Sequence, residues 1–332
     1  MNLRGIRFNW AFDQSGVRNF HGAGWPYHKY LRPIGLTFNG STFVAKTTTL
    51  NPRRGQQYGE PGNMELVRGG LMPKDVMPDC IRVWFQKGLA LNAVGLAGPG
   101  LKSLLEIGYW YALEQPFMIS LMTVAATPQE RLAELKETVY MMRPYLPFRA
   151  RFGIQLNITC PNAAHKPQTA QQVIWETQAS LAILRQLGDD IALVPKIHAL
   201  FDIPMTAQIA ADPNCDGLCN SNTIAWADIP EAERLRMFGT LESPLAKYGG
   251  GGISGKYLLP KVAYWVQEAR RAGINKPIIA GGGILHPRDV TLLAKVGASA
   301  IAVGSAAFLR PWRVQRIINR ANFIGRNGGL RW

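Results

Sequence analysis

Residues 276–307 read KPIIAGGGILHPRDVTLLAKVGASAIAVGSAA, two short apolar runs that each stop on small residues. A brief apolar run ending in a glycine turn suits a buried strand of a parallel sheet, and the intervening stretch is long enough for a crossover helix. Gly282, Gly283, Gly304 and Ser305 stand at the two strand ends. Glycine lets backbone N–H groups approach an anion, and a helix N-terminus after such a turn adds a favourable dipole. One such turn is an ordinary tight turn. Two on the last strands of a barrel mark the usual phosphate site of that fold, here expected to hold a cofactor's phosphate.

The same alternation runs back along the chain. Strand candidates are IRFNWAF, TFVAKT, FMISLM, FGIQLNI, IALVPKI, GLCNSNT, PIIAGG and AIAVGS, and amphipathic segments separate most of them. In TPQERLAELKETVYMM, Thr127 is a candidate N-cap, Pro128 fits the first helical position and Glu130 completes a capping box. Leu132, Leu135, Val139 and Met142 then share one face. Eight strands, each followed by a helix or excursion, predict an α/β fold: a (β/α)8 TIM barrel with inserted loops at the C-terminal face of the strands, as a single domain over 1–332. GGGISG at 250–255 formally matches a dinucleotide fingerprint, but it comes late in the chain. Asn275 also stands where an acidic residue should bind a ribose.

The 332 residues carry 37 Lys+Arg against 22 Asp+Glu, a net +15. Such an excess suits anionic partners, but the charges are spread along the chain, so a basic enzyme surface is the simpler reading. The 4 cysteines, Cys80, Cys160, Cys215 and Cys219, make no paired metal motif, and a reduced intracellular protein is expected. No signal peptide or membrane span is apparent.

Barrel chemistry sits where strands end. Lys46 ends the second strand, Asn157 and Cys160 the fourth, Lys196 the fifth, and Asn220 and Asn222 the sixth. Taken alone, each has a plain explanation: a buried cysteine, a turn-capping amide, a rim lysine.

Together, these residues and their surroundings resemble a known family. LNITCPN, VAKTTTLNPRRGQ, LNAVGLAGPG, CDGLCNSNT, LAKYGGGGISGKYLLP and the 276–307 stretch resemble, in order from about residue 40 to 310, the motifs of dihydroorotate dehydrogenases. The resemblance implies an FMN-dependent barrel that oxidises dihydroorotate to orotate in pyrimidine biosynthesis. It implies Cys160 as the general base at substrate C5 and hydride transfer from C6 to flavin N5. Asn92, Asn157, Asn162 and Asn222 match the family's four asparagines, whose amides can read a pyrimidine's N–H and C=O edges. Thr223 matches the hydroxyl beside the last of them, and Val94, Gly95 and Leu96 fall in the substrate loop. Lys46 is implied near flavin and substrate carboxylate, and Lys196 near negative charge on reduced flavin. Ser15, Gly16, Thr47 and Ser120 are implied flavin contacts, and Gly255, Gly282, Gly283, Gly304 and Ser305 the hold on the ribityl-phosphate. AAHKPQT, after Cys160, matches the family's mobile lid. No metal is implied.

The chain departs from the family at Ser120, where many members carry asparagine, and at Pro195, where the family usually has a β-branched or small apolar residue, which leaves the geometry of the fifth strand open. QSG at 14–16 matches A-[SA]-G only loosely, and Trp25, Tyr27 and Tyr30 are expected in the core. A cysteine base, and a first strand expected almost at Met1, favour a soluble cytoplasmic enzyme, an expected homodimer. Its acceptor would be fumarate, or NAD through an iron–sulfur flavoprotein partner. Two other readings stand beside this one. A tRNA-dihydrouridine synthase would share barrel and FMN and suit the charge, but Asn162 after CP and the asparagine set oppose it. A non-catalytic basic binding protein would hold no flavin.

Overall fold

The computed structural model describes residues 1–53, 63–159 and 169–330. Cys160, Asn162 and most of the lid segment lie outside the described residues. The strands Ala11–Asp13, Ala300–Val303, Ile278–Gly281, Leu218–Asn222, Ala192–His198, Phe152–Asn157 and Phe117–Leu121 lie side by side, in that order, in one parallel seven-stranded sheet. The remaining position, second in chain order, is filled by 42–48. This segment makes single parallel bridges and no continuous ladder: Phe12 to Thr42 on one side, Val44 to Met118 and Thr48 to Leu121 on the other. Asp13 N–H donates to Thr42 O at 2.9 Å, Ala45 N–H to Met118 O at 2.8 Å, and Thr48 N–H to Ser120 O at 2.8 Å. These bonds close the ring, and the chain is a TIM barrel as expected.

Helices cover the outside. Pro128–Met142 starts on the expected capping box, with Thr127 and Glu130 bonded reciprocally. Its buried face includes Leu135, Val139 and Met142, with Leu132 half-buried. Ala170–Arg185 starts on a second such box, Thr169 with Gln172. These two neighbouring helices share a buried ion pair: Arg131 Nε and Nη2 reach the Glu176 carboxylate at 2.6 Å each. Arg131 Nη1 also donates to Ala125 O and Ala126 O. The fork geometry offsets the desolvation of both charges and ties the helix pair to the loop that follows Phe117–Leu121.

The lower interior of the barrel is apolar. Phe12, Val44, Met118, Val194, Cys219, Ile279, Ala300 and Ala302 form one buried cluster with Met1, Leu3, Ile6 and Phe8. The expected first strand is corrected here. Asn2–Leu3 and Ile6–Arg7 pair antiparallel as a small hairpin. Arg4 and Gly5, at φ 49° and 73°, turn the chain between them. The barrel strand itself begins at Ala11. The apolar run IRFNWAF therefore does two jobs: its first half plugs the barrel floor, where open strand ends would otherwise expose the cluster to water.

Pro195 does not break the fifth strand. It pairs in register with Leu156. The irregularity falls two residues later, between Ile197 and His198 against Leu218–Asn222. At the opposite end, two excursions meet. Ile81–Trp84, Leu89–Asn92, Gly252–Gly255 and Ile224–Ala225 form a four-stranded antiparallel sheet. It roofs the C-terminal face of the barrel and brings Asn92 opposite Gly252.

The excursion after Ala11–Asp13 is only partly core. Trp25 donates to Gly16 O at 2.8 Å and Tyr27 packs edge-on to His28, but Tyr30 is 71% exposed, contrary to expectation. His28 is buried against Phe38, with Arg18 and Arg32 near it, and burial pushes its imidazole down to about 4. The folded chain thus keeps His28 neutral where an unfolded chain protonates it. Its contribution is full above the unfolded value near 6.5 and is lost as pH falls towards about 4. The loss over that window should be about 1–3 kcal/mol. In urea unfolding across the window, His28→Phe should flatten the pH dependence relative to the unmutated chain. Parallel curves for the two proteins would contradict this assignment.

Candidate active site

The polar side chains of the barrel gather at the mouth that the antiparallel sheet roofs. Two amides form its centre. Asn222 Nδ2 donates to Asn157 Oδ1 at 2.7 Å and to Thr159 Oγ1 at 2.9 Å. Asn157 and Asn222 are 5% and 7% exposed, so this pair is held in place and not solvated. Parallel strands bring them together: Lys196 is in register with Asn157 on one side, and the bulge after Ile197 sets His198 opposite Asn222 on the other. Thr223 is half-buried just beyond the strand end.

Lys196, 3% exposed, extends from the fifth strand to the first, on the opposite side of the ring, and donates to Ser15 Oγ at 2.9 Å. Ser15 Oγ lies 3.1 Å from Thr47 Oγ1, which lies 2.9 Å from Ser120 Oγ. A Cβ on Gly16 would lie 3.5 Å from Cγ of the Lys46 stem. Lys46 bonds the carbonyl of Ala97 and lies over the Phe20 ring, 5.0 Å from its centroid. Both lysines are therefore buried cations aimed into one cleft. Ala97 belongs to the loop that holds Val94, Gly95 and Leu96. Leu96 sits at φ 64°, a left-handed conformation that costs a leucine on the order of 1–3 kcal/mol. That strain persists because Gly98 on one side and Lys46 on the other fix the loop, through the Arg53–Gly98 backbone pair and the Lys46–Ala97 bond. Asn92 Nδ2 approaches Gly252 O at 3.5 Å, at the rim of the same mouth.

The glycines form a cradle. A Cβ on Gly283 would lie 2.6 Å from Gly255 O and 2.7 Å from Leu259 N, and a Cβ on Gly255 would lie 2.2 Å from Gly88 O. Gly282 and Gly283 have φ 117° and 75°. No larger residue fits, and the bare backbone here faces the start of the Leu258–Arg271 helix. Gly304 packs on Gln14, and Ser305, 9% exposed, opens the short helix that follows the last strand.

Gln14 was not among the residues read from sequence. Its Nε2 donates to Ser221 O at 2.5 Å, which fixes the amide and leaves Oε1 buried with no partner. Gln155, 1% exposed inside the barrel, is similar: Nε2 meets Cys219 Sγ at 3.6 Å while Oε1 is unpaired. His198 is a third. Its Nδ1 accepts the Leu200 N–H at 3.1 Å, so the neutral ring carries its proton on Nε2, and burial lowers its affinity for a second. For Gln14 the one signal was its place at the end of the first strand, where QSG departs from the small residue expected. Cys80, Cys215 and Cys219 are fully buried free thiols. Burial pushes Cys80 up to about 11 and Cys215 up to about 12, so they fit the structural role expected.

These features fit an FMN. Bare glycine backbone before a helix start, a buried carbonyl on Gln14 in need of a donor, two buried lysines and a set of hydroxyls are the complements of a phosphate, a polyhydroxyl chain and an anionic ring edge. No cluster of metal-ligating side chains occurs among the described residues.

Known proteins agree. The family model for dihydroorotate dehydrogenase matches residues 75–323. The NAD(+)-type dihydroorotate dehydrogenase B catalytic subunit of Cutibacterium acnes is 29% identical over 88% of this chain and 83% of its own length. That of Geobacillus kaustophilus is 30% identical over 87% and 80%. A putative fumarate-type dihydroorotate dehydrogenase A of Pediococcus pentosaceus is 27% identical over 92% and 88%. Among solved structures, a ligand-free DHODH from Eimeria tenella superposes with a TM-score of 0.64 at 19% identity, covering 100% of this chain and 89% of that one, a likeness of fold. With the matched segment spanning most of the barrel and every strand after 42–48, the chain belongs to the dihydroorotate dehydrogenase family.

Proposed function

We propose that this chain oxidises dihydroorotate to orotate with FMN as its cofactor, the step that makes the aromatic pyrimidine in pyrimidine biosynthesis. The observation that carries the reading is the buried Asn157–Asn222 pair beside Lys196, set in the mouth of a closed barrel against a glycine cradle. Bound FMN supplies the hydride acceptor. The work of the protein is to hold the ring, order the proton transfer and keep water out.

Asn222 Nδ2 spends its two protons on Asn157 Oδ1 and Thr159 Oγ1, which turns the Asn157 amide protons and the Asn222 carbonyl towards a pyrimidine's alternating C=O and N–H groups. Asn92 and Asn162 complete the set in this reading, with Thr223 and the 94–96 backbone at the substrate edge. Cys160 follows Thr159 directly and is the base for the C5 proton. Its thiolate is favoured by the buried cations of the site. Lys46 opposes the substrate carboxylate. Lys196 stabilises the charge that develops as electrons leave the substrate. Gly255, Gly282, Gly283, Gly304 and Ser305 hold the phosphate end, and Gln14 accepts a hydroxyl or N–H from the cofactor. The lid segment after Cys160 closes over substrate.

The family match sets aside the tRNA-dihydrouridine synthase and the non-catalytic binding protein. We expect a homodimer in the cytoplasm. No helix among the described residues is long and apolar enough to cross a membrane. The named relatives carry NAD(+) or fumarate in their names, and the expected acceptor here is fumarate, or NAD through an iron–sulfur flavoprotein partner. Fumarate added without oxygen to protein reduced by dihydroorotate separates the two. Reoxidation marks the direct route, and persistence of reduced flavin marks the partner route.

Two variants test the site. Cys160→Ala should retain FMN while anaerobic stopped-flow reduction by dihydroorotate slows about 10²–10⁴-fold, the usual range for a lost general base. An unchanged rate removes Cys160 from the role. Gln14→Leu should weaken FMN about tenfold in a fluorescence-quenching titration, because the buried donor on the cofactor loses its acceptor. Unaltered affinity means that Gln14 Oε1 does not face the cofactor.

A further inference from the structure

Lys196, Ser15, Thr47 and Ser120 come from four separate places in the chain and form one continuous hydrogen-bonded line. The distances are 2.9 Å from Lys196 Nζ to Ser15 Oγ, 3.1 Å from there to Thr47 Oγ1, and 2.9 Å on to Ser120 Oγ. Thr47 and Ser120 are 5% and 0% exposed, so water does not compete along most of its length. Around the ring, the line runs from the fifth strand across to the end of the first, then through the 42–48 segment to the third.

The chemistry of the donors gives the line a direction. An ammonium donates and never accepts, so Ser15 Oγ must accept from Lys196. The Ser15 proton is then turned away from the cation, and Thr47 Oγ1 is the acceptor in reach. Thr47 in turn donates to Ser120. Each hydroxyl dipole so aligned has its positive end pointing away from Lys196, the arrangement that a fixed cation favours in a low-dielectric interior. The reversed line would point two O–H dipoles back at the ammonium.

We propose that Ser15 is a positioning residue for Lys196, and that Ser15, Thr47 and Ser120 form a proton-ordered hydroxyl relay extending the field of that ammonium across the barrel mouth. Ser120 Oγ–H is the last donor of the relay, delivered at the place where many family members carry an asparagine. The reading rests on the FMN assignment above. Its consequence is thermodynamic: the relay stabilises the reduced, more negative state of the cofactor more than the oxidised state, because a pinned cation and an aligned set of dipoles both favour added negative charge.

The test is the two-electron midpoint potential of the bound flavin, measured by equilibrium titration against a reference dye with no substrate present. Ser15→Ala should make reduction about tenfold less favourable, a shift of about 30 mV to lower potential for a two-electron couple. Ser15→Thr, which keeps the hydroxyl, should restore the original value. On a Lys196→Gln background, Ser15→Ala should add almost nothing, because the charge that orders the relay is gone. A hydroxyl that served packing alone would give no shift, or an equal shift on both backgrounds, and either result overturns the proposal. Because the dye reduces the flavin, the measurement holds even if dihydroorotate is not the substrate. If the unmutated chain takes up no FMN, the FMN assignment fails and the relay proposal falls with it.

Discussion

The barrel closes through its weakest member. Segment 42–48 makes only isolated bridges to its neighbours, yet the bonds from Thr42, Ala45 and Thr48 join the first strand to the third. A parallel sheet left open here would carry two unpaired edges and would not place strands one and five on opposite sides of a common mouth. Everything polar in the site depends on that placement. Lys196 meets Ser15 because the ring is closed, and Thr47 stands between Ser15 and Ser120 because the bridging segment supplies it. The sparse pairing has a local reason: residues 46–49 are four consecutive buried polar positions, with hydroxyls and an ammonium committed to the interior and to the loop above.

A division of labour along the barrel axis follows. The lower interior is hydrocarbon, sealed by the Asn2–Arg7 hairpin region, and stabilises the fold by burial. The upper interior is amide, hydroxyl and ammonium, and the antiparallel sheet roofs it. Polar groups at that depth are costly unless paired. Many are paired with one another, and the exceptions on the barrel strands and at their ends include Asp13 Oδ1, Gln14 Oε1, Gln155 Oε1 and both amide atoms of Asn220. A low-dielectric floor beneath a polar mouth strengthens each charge–dipole interaction where hydride and proton leave the substrate.

Much of this was legible in the sequence. Short apolar runs ending in glycine or amide residues carry the period and punctuation of barrel strands, and Thr127 with Glu130 announced its helix. Strand ends are where a parallel barrel does chemistry, so Asn157, Lys196 and Asn222 could be picked out before their contacts were known. Other features were hidden for physical reasons. The run Ile6–Phe12 carries apolar residues along its whole length, and nothing in it distinguishes floor plug from barrel strand. That difference is set by the turn at Arg4 and Gly5 and by which surface needs covering. Pro195 left the geometry of the fifth strand open in sequence, and in the fold it keeps its register with Leu156. Ser15, Thr47, Ser120 and Lys196 are far apart in the chain and individually ordinary, and only closure of the ring makes them neighbours. Gln14 showed itself only as a departure from a small residue.

The central claim is that this mouth holds one FMN and one dihydroorotate so that the second reduces the first. The most direct measurement is a stoichiometric titration without oxygen of the flavin-loaded protein, following the visible flavin absorption and the ultraviolet absorption of orotate together. The account predicts that the flavin bleaches at one equivalent of dihydroorotate per chain and that orotate appears in equal amount. Flavin that stays oxidised in excess dihydroorotate, or a chain that cannot be loaded with FMN, would contradict it.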